Sequence, residues 1–581
     1  MRFATIFGLC LPLVLTGCSL APTAAPLSGI SENGMAIHGK AFGGQQPVAG
    51  AHVYLYAAGT SGYGAAASSL LTSGSNTTVD GSSNYYVITD TGGNFSISSD
   101  YTCTTGTGVY LYAVGGNSGS GANSAIGLLA ALGACPVAGN FASATPFIFV
   151  DEVSTIAAAY SMAGFATDAT HVSSSGTTLA ATGVQNAFAN AANLASISTG
   201  LALATTPGGN GTVPQTEINT LANILASCVN SASPSSTACN TLFSNAMSAG
   251  SSGNTATDTA TAAIYMAHNP ASNIATLYAL STPTPPFAPA LGSAPNDFTI
   301  AINFTGGGLS APWSIAIDGS GNAWVGNRSN NSVTELTSAG GAVSGSPFTG
   351  GGLSNPVAIA IDGSGNVWTA NNGNDSVTEL TAGVAVSGSP FTGGGLSGPF
   401  GIAIDGSGNA WVANGSNNSV TELTSSGVAV SGSPFTGGGL NTPVEIAIDG
   451  SGNAWVANYS NNSVTELTSA GVAVSGSPFT GGGLNSPFGI AIDGSGNVWI
   501  PNVGNDSVTE LTSAGVAVSG SSAFTSSGMN TPRAIAIDGS GNVWTANGGN
   551  NVYELIGAAT PVVTPMAANL SSPYSAPASK P

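Results

Sequence analysis

Basic residues are almost missing from this 581-residue chain: five Lys and Arg stand against 25 Asp and Glu, giving a formal charge of −20, and charged residues make up only 5%. An ordinary globular domain carries about 25%. Without cations to neutralise phosphates, nucleic acid is excluded as a partner. Histidine is equally scarce. His38, His52, His171 and His268 are the whole supply, and none has a spaced partner that suggests a metal site. Serine abounds, but without a nearby base it is a weak nucleophile, so acyl-transfer chemistry is unsupported. Disorder is excluded too. Glycine (83) and proline (31) together stay near a fifth of the chain, and 42% apolar residues can build cores.

The first eighteen residues read as an address. Met1-Arg2 is a short positive start, Ile6 to Leu15 is an apolar run too short to span a bilayer, and Leu15-Thr16-Gly17-Cys18 follows at once. Those four residues resemble the lipobox of bacterial lipoproteins. The resemblance implies a signal peptide over 1–17, a diacylated Cys18 as the first mature residue, and a membrane partner reached through that lipid. Ser19 stands where an inner-membrane retention Asp would be, so the implied location is the bacterial cell envelope, at the outer membrane or cell surface. Residues 18–33 form a small-residue tether. No polybasic patch assists, so the acyl chains alone hold the protein, at ~0.8 kcal/mol per buried methylene. Cys10 leaves with the signal, and Cys103, Cys135, Cys228 and Cys239 remain. Four cysteines without a CxxC in an oxidising compartment predict two disulfides over a zinc site. Of the three possible pairings the sequence-local one is expected, each bridge contributing roughly 2–4 kcal/mol.

From 34 to 148 the pattern is β: Val53-Tyr54-Leu55-Tyr56, Tyr85-Tyr86-Val87-Ile88 and Val109-Tyr110-Leu111-Tyr112 are separated by Gly, Ser and Asn clusters. Such strands need a second sheet to cover them. Pro47 to Leu55 and Thr89 to Ile97 resemble the carboxypeptidase regulatory-like sandwich, which implies a non-catalytic spacer or binding module. Over 149–282 the period lengthens and alanine dominates. Ile156 to Phe165, Val184 to Leu203, Gln215 to Cys228, Thr237 to Met247 and Thr259 to His268 each read as helix, forming a small bundle. A proline-rich linker, 283–295, leads out of it.

The remainder repeats. Asp318, Asp362, Asp405, Asp449, Asp493 and Asp538 recur every 43 to 45 residues, each in Ile-Ala-Ile-Asp-Gly-Ser-Gly-Asn and each followed six residues later by Trp324, Trp368, Trp411, Trp455, Trp499 or Trp544. That period with alternating apolar residues is the mark of a four-stranded propeller blade. Ile-Ala-Ile supplies the inner strand, Trp-Val-Ala the second, Ser-Val-Thr-Glu-Leu the third and Ala-Val-Ser-Gly-Ser the fourth. The last unit loses the pattern after Val552-Tyr553-Glu554-Leu555, while Phe298 to Phe304 precedes the first unit, so the N-terminal strand is expected to complete blade six. The chain therefore reads as multidomain and mainly β: an N-terminal β-sandwich, a small α-helical bundle, a six-bladed β-propeller over 296–556, and a low-complexity tail over 557–581.

The repeats resemble the NHL and virginiamycin B lyase-like propellers. The lyase resemblance implies histidines, a glutamate and a divalent metal at the propeller face, yet this propeller contains no histidine. No catalytic residue, cofactor or metal is therefore expected. The six aspartates read as turn residues, one carboxylate per hairpin being too little for calcium's six to eight oxygens. Glu335, Glu379, Glu422, Glu466, Glu510 and Glu554, on third strands, read as structural. Variation among the copies collects in two loops of one face. Before strand one stand Trp313-Ser314, Val357-Ala358, Phe400-Gly401, Val444-Glu445, Phe488-Gly489 and Arg533-Ala534; after strand two stand Arg328, Asn372, Gly415, Tyr459, Val503 and Gly548. Trp313, Arg328, Phe400, Glu445, Tyr459, Phe488 and Arg533 are thus the candidate ligand face, a shallow apolar funnel rimmed by Arg328, Arg533, Glu445 and Tyr459 and suited to a peptide, glycan or small ligand. A binding protein is the expectation. A lyase or hydrolase with a non-histidine site, and a structural envelope protein, are the alternatives.

Overall fold

A computed structural model describes residues 31–562 apart from 144, 282–284, 519–523, 525–528 and 549–550. The signal segment, Cys18, most of the tether and the tail beyond 562 lie outside the described residues.

Two sheets form the N-terminal sandwich. One runs Gly127–Ala134, Gly108–Val114, His52–Ala57, Tyr85–Ile88, Thr78–Val79; the other joins Ile148–Val150, Ile37–Gly43, Gln46–Pro47 and Asn94–Ile97. Strand period decides what each sheet face touches. Val53, Leu55, Val109 and Leu111 point into the core between the sheets, while Tyr54, Tyr56, Tyr110 and Tyr112 point to the other side, into the core shared with the helices. The tether ends before residue 33, because Ser31–Asn33 pairs with Thr102–Thr104. Disulfides join Cys103 to Cys135 and Cys228 to Cys239, the sequence-local pairing.

Among the described residues six helices pack on the tyrosine side, α1 (Glu152–Met162), α2 (Thr178–Leu194), α3 (Gln215–Val229), α4 (Thr237–Asn245), α5 (Thr259–His268) and α6 (Ile274–Leu280); α1, α2 and α5 lie against the sheet, and α3, α4 and α6 pack behind them. Helix α1 opens with a capping box between Asp151 and Ser154 and is buried along its whole length. Its small residues let α2, α3, α5 and the Gly127–Ala134 strand approach from every side. Alanine content misplaced one helix: α2 starts at Thr178, after its Thr177 cap and six residues before the expected Val184, and ends at Leu194, after which Ala195–Ser196 and Leu201–Ala202 make a hairpin around Gly200 (φ +70°). Helix α6, in a stretch of Asn, Ser and Thr, has no strong sequence signature. The proline segment is no free spacer either. Phe287 is buried, and Asn223 brackets it by donating to its carbonyl and accepting from its amide.

Six blades follow, with inner strands at Pro312–Ile317, Pro356–Ile361, Pro399–Ile404, Pro443–Ile448, Ala491–Ile492 and Pro532–Ile537; a paired fourth strand is present in blades one, two, three and six, and a single bridge stands in its place in blades four and five, at Val464–Phe479 and Val508–Phe524. The fourth strand differs from the expectation. It is Phe-Thr, as in Phe348–Thr349 and Phe391–Thr392, and Ala-Val-Ser-Gly-Ser is mostly the turn leading to it. The reason is stacking: each repeated tryptophan lies 5.0 to 5.7 Å from a fourth-strand phenylalanine. In blade six that ring is Phe304. Ala301–Phe304 pairs antiparallel with Val552–Leu555 and closes the ring, and Gly211–Thr212 from the helical region adds a fifth strand outside it. The tail also begins later than expected, since Ala558, Ala559, Thr560 and Val562 are buried under the hairpins of blades five and six.

Candidate functional site

The six inner strands present their Ile-Ala-Ile residues to the ring axis and enclose an apolar channel of ≈ 130 Å³. The Asp-Gly-Ser-Gly-Asn hairpins lie at one end. Helix α2 docks there: Asn186 donates to the Ser320 carbonyl, Ser540 donates to that of Gly183, and Asn190 donates to Glu554. The helical region thus covers the uniform face at blades one and six and leaves the variable face open.

On that open face the aromatic candidates come together. Phe488 lies 5.3 Å from Trp313, 5.9 Å from Tyr459 and 6.5 Å from Phe400, each contact edge-on. These rings belong to blades one, three, four and five. Residues from non-adjacent blades can meet only over the axis, so the cluster closes the channel mouth where an open funnel was expected. The position after the blade's first proline holds Trp, Phe and Phe in blades one, three and five, with Val357 and Val444 between them, so large rings from alternate blades share the narrow centre without collision. The Arg328 and Arg533 guanidiniums lie 4.3 and 4.0 Å from the Trp313 ring centre. Arg328 is exposed and donates through Nε to Asn355 at 2.7 Å. Burial, and next the charge of Arg328, pull the Arg533 guanidinium below its usual range.

Glu445 is not on the rim. Its equivalents are Ser314, Ala358, Gly401, Gly489 and Ala534, all small, because this position faces the channel wall. The side chain occupies space left by Gly401, where an added Cβ would meet Glu445 Oε1 at 2.8 Å. Its carboxylate accepts from the amides of Ile402 (3.2 Å) and Ile446 (3.3 Å), and burial pushes it well above the ordinary carboxylate range. Five small residues against one glutamate was the readable sign of an inward position.

A set of residues that sequence reasoning passed over holds the face in place. Each second strand ends in a wholly buried asparagine: Asn327, Asn371, Asn414, Asn458, Asn502 and Asn547. In the first five the carboxamide oxygen accepts a loop amide preceding strand one, as from Ser397 to Asn414 at 3.2 Å. The same side chain donates to a Ser and a Thr of strand three, as Asn414 does to Ser419 and Thr421. It thereby ties together both loops that carry the variable residues. The invariant Trp-x-x-Asn spacing was its signal.

The repeated carboxylates are engaged within their blades. Asp405 Oδ1 accepts the amides of Ser407 and Asn409, and Oδ2 accepts the Trp411 indole N–H at 3.1 Å. Glu422, directly opposite Trp411 in the ladder, accepts from Asn409. The residues of the mouth do not fit the lyases' divalent metal: two guanidiniums repel it, and the one carboxylate is committed to amides. Among the described residues no group of three or more His, Cys, Asp or Glu converges elsewhere.

No family model and no curated protein matches the chain. Among solved structures it is similar to a streptogramin B lyase, at 16% identity and TM-score 0.36, over 44% of this chain and 96% of that one. It is also similar to a catalytically inactive virginiamycin B lyase from Staphylococcus aureus solved with quinupristin, at 18% and TM-score 0.35, over 46% and 89%. A gluconolactonase from Xanthomonas campestris shares 14% at TM-score 0.37, over 44% and 89%. The propeller stands on the strand pairing described above rather than on these likenesses.

Proposed function

We propose that this chain is a lipid-anchored protein of the bacterial envelope whose propeller binds a peptide, glycan or small ligand on the aromatic cluster that caps its channel mouth, without catalysis. The observation that carries the reading is the meeting of Trp313, Phe400, Tyr459 and Phe488 over the axis, beside Arg328 and Arg533, on the face the helices leave uncovered. The resemblance to carboxypeptidase regulatory-like modules gives the sandwich the part of a spacer between anchor and propeller.

A glycan and peptide array probed with the full mature chain finds the ligand. Truncating an aromatic anchor typically costs ~2 kcal/mol or more. Trp313→Ala and Phe488→Ala are therefore expected to weaken binding at least tenfold, and Val428→Ala, at an exposed turn on the opposite face, to leave it unchanged. Equal losses on both faces, or none at Trp313, overturn the site. For the anchor, Cys18→Ala is expected to abolish metabolic labelling with a fatty acid. Label retained on that variant removes the anchor from the reading.

A further inference from the structure

Among the described residues Lys and Arg number three, Lys40, Arg328 and Arg533, and two of them meet on one tryptophan. Like charges gathered in this way normally share a carboxylate. The His171–Asp168 ion pair lies elsewhere, in the helical region. Glu445, the only acid among the variable positions, turns into the channel and accepts backbone amides instead. A third donor belongs to the same group: Trp313 Nε1 is buried with no hydrogen-bond partner among the described residues. A buried unsatisfied donor is a cost to the fold that a ligand acceptor would recover. The rings of Phe488, Phe400 and Tyr459 cluster beside Trp313, and Asn355 takes only the Nε of Arg328.

From this juxtaposition we infer that the mouth is an organic-anion site, taking a carboxylate or sulfonate on Arg328 and Arg533 with a flat apolar body against the aromatic rings. The planar guanidinium fork matches such oxygens. The whole chain, at a formal −20, repels anions, so affinity for one must come from this local pair. The inference rests on the binding reading above and narrows its ligand class.

Isothermal titration of the full chain tests it with four probes: 2-naphthoate, naphthalene-2-sulfonate, the neutral 2-naphthamide and inorganic phosphate. Both organic anions are expected to bind at least tenfold more tightly than the amide and more tightly than phosphate. Arg328→Gln, at an exposed position, is expected to cut anion affinity at least fivefold while leaving the melting temperature and the amide's binding unchanged. Arg533→Lys, which keeps the charge, should retain more anion affinity than Arg533→Gln. Equal binding of amide and naphthoate, no binding of either organic anion, or full affinity in Arg328→Gln overturns the anion site. Phosphate binding as tightly as naphthoate overturns the role of the rings. If array ligands without negative charge still need Trp313, the binding reading stands and only this inference falls.

Discussion

Asn458 shows how one residue couples fold to site. It has no exposure, and its carboxamide holds the loop amide of Asn441 while donating to Ser463 and Thr465. Asn458→Ala removes the acceptor of the Asn441 amide and one donor to each of Ser463 and Thr465, whose hydroxyls keep Asn461 and the Gly438 carbonyl as acceptors, so the expected loss is about 1–3 kcal/mol, read as a shift in a urea midpoint at unchanged slope. An exposed side chain such as Val472, replaced by Ala, would move it by less than about 0.5 kcal/mol. The loop bearing Tyr459 is released in the same variant, so binding at the mouth should weaken as well. The seven candidate residues were chosen from differences among repeats, and six of them meet because loop geometry follows from strand order. Glu445 was misplaced because variability alone does not say whether a position faces rim or channel. The buried asparagines were hidden for the opposite reason: a residue identical in every copy looks like scaffold, and only its partners show that it shapes the variable loops.

At the level of elements, legibility followed period. Inner, second and third strands repeat with strict alternation and appear where the pattern puts them. The fourth strand was misassigned because two neighbouring segments both look extended, and stacking on tryptophan, a contact 24 residues apart in sequence, selects Phe-Thr. Phe304-Thr305-Gly306-Gly307-Gly308-Leu309 is itself a copy of Phe348-Thr349-Gly350-Gly351-Gly352-Leu353, which marks the closing strand without coordinates. The two rings differ in cover. Phe304 has no exposure, because Gly211–Thr212 lies outside it, whereas Phe348 is half-buried. Phe304→Ala is accordingly expected to destabilise by about 3–5 kcal/mol and Phe348→Ala by clearly less. Deleting 301–304 should open the ring and lower the melting temperature further. Equal urea midpoints for the two alanine variants would mean that blade six is closed by its own hairpins and not by the N-terminal strand.

Across the whole molecule the shortage of cations leaves buried carboxyls to be held by dipoles alone. Burial pushes Asp151 up to about 7, raises Asp258 and Asp538, and drives Glu152, Glu445 and Glu554 well above the ordinary range. Hydrogen bonds from Ser154, Thr261, Asn542 and Trp544 pull the aspartates the other way without overcoming desolvation. A carboxyl whose folded value lies above its unfolded value near 4 binds its proton more tightly in the native state. Its penalty is absent below about pH 4, grows as pH rises from there towards the folded value, and is fully expressed above it. Asp80 and Asp168 are held below the ordinary range by hydrogen bonds, so their support is lost only beneath pH 4. The repulsion of a net charge of −20 acts in the same direction as the raised groups. Calorimetry should therefore find a higher melting temperature at pH 5 than at pH 8, Asp151 contributing its fall between about pH 4 and 7 and the decline easing above pH 7 as it ionises in the native state. Glu445→Gln should raise the melting temperature at pH 8 and leave it unchanged at pH 4. A melting temperature that is level or rising from pH 5 to 8 would show that the native state ionises these carboxyls freely, with water reaching Glu445 through the mouth that the aromatic rings close.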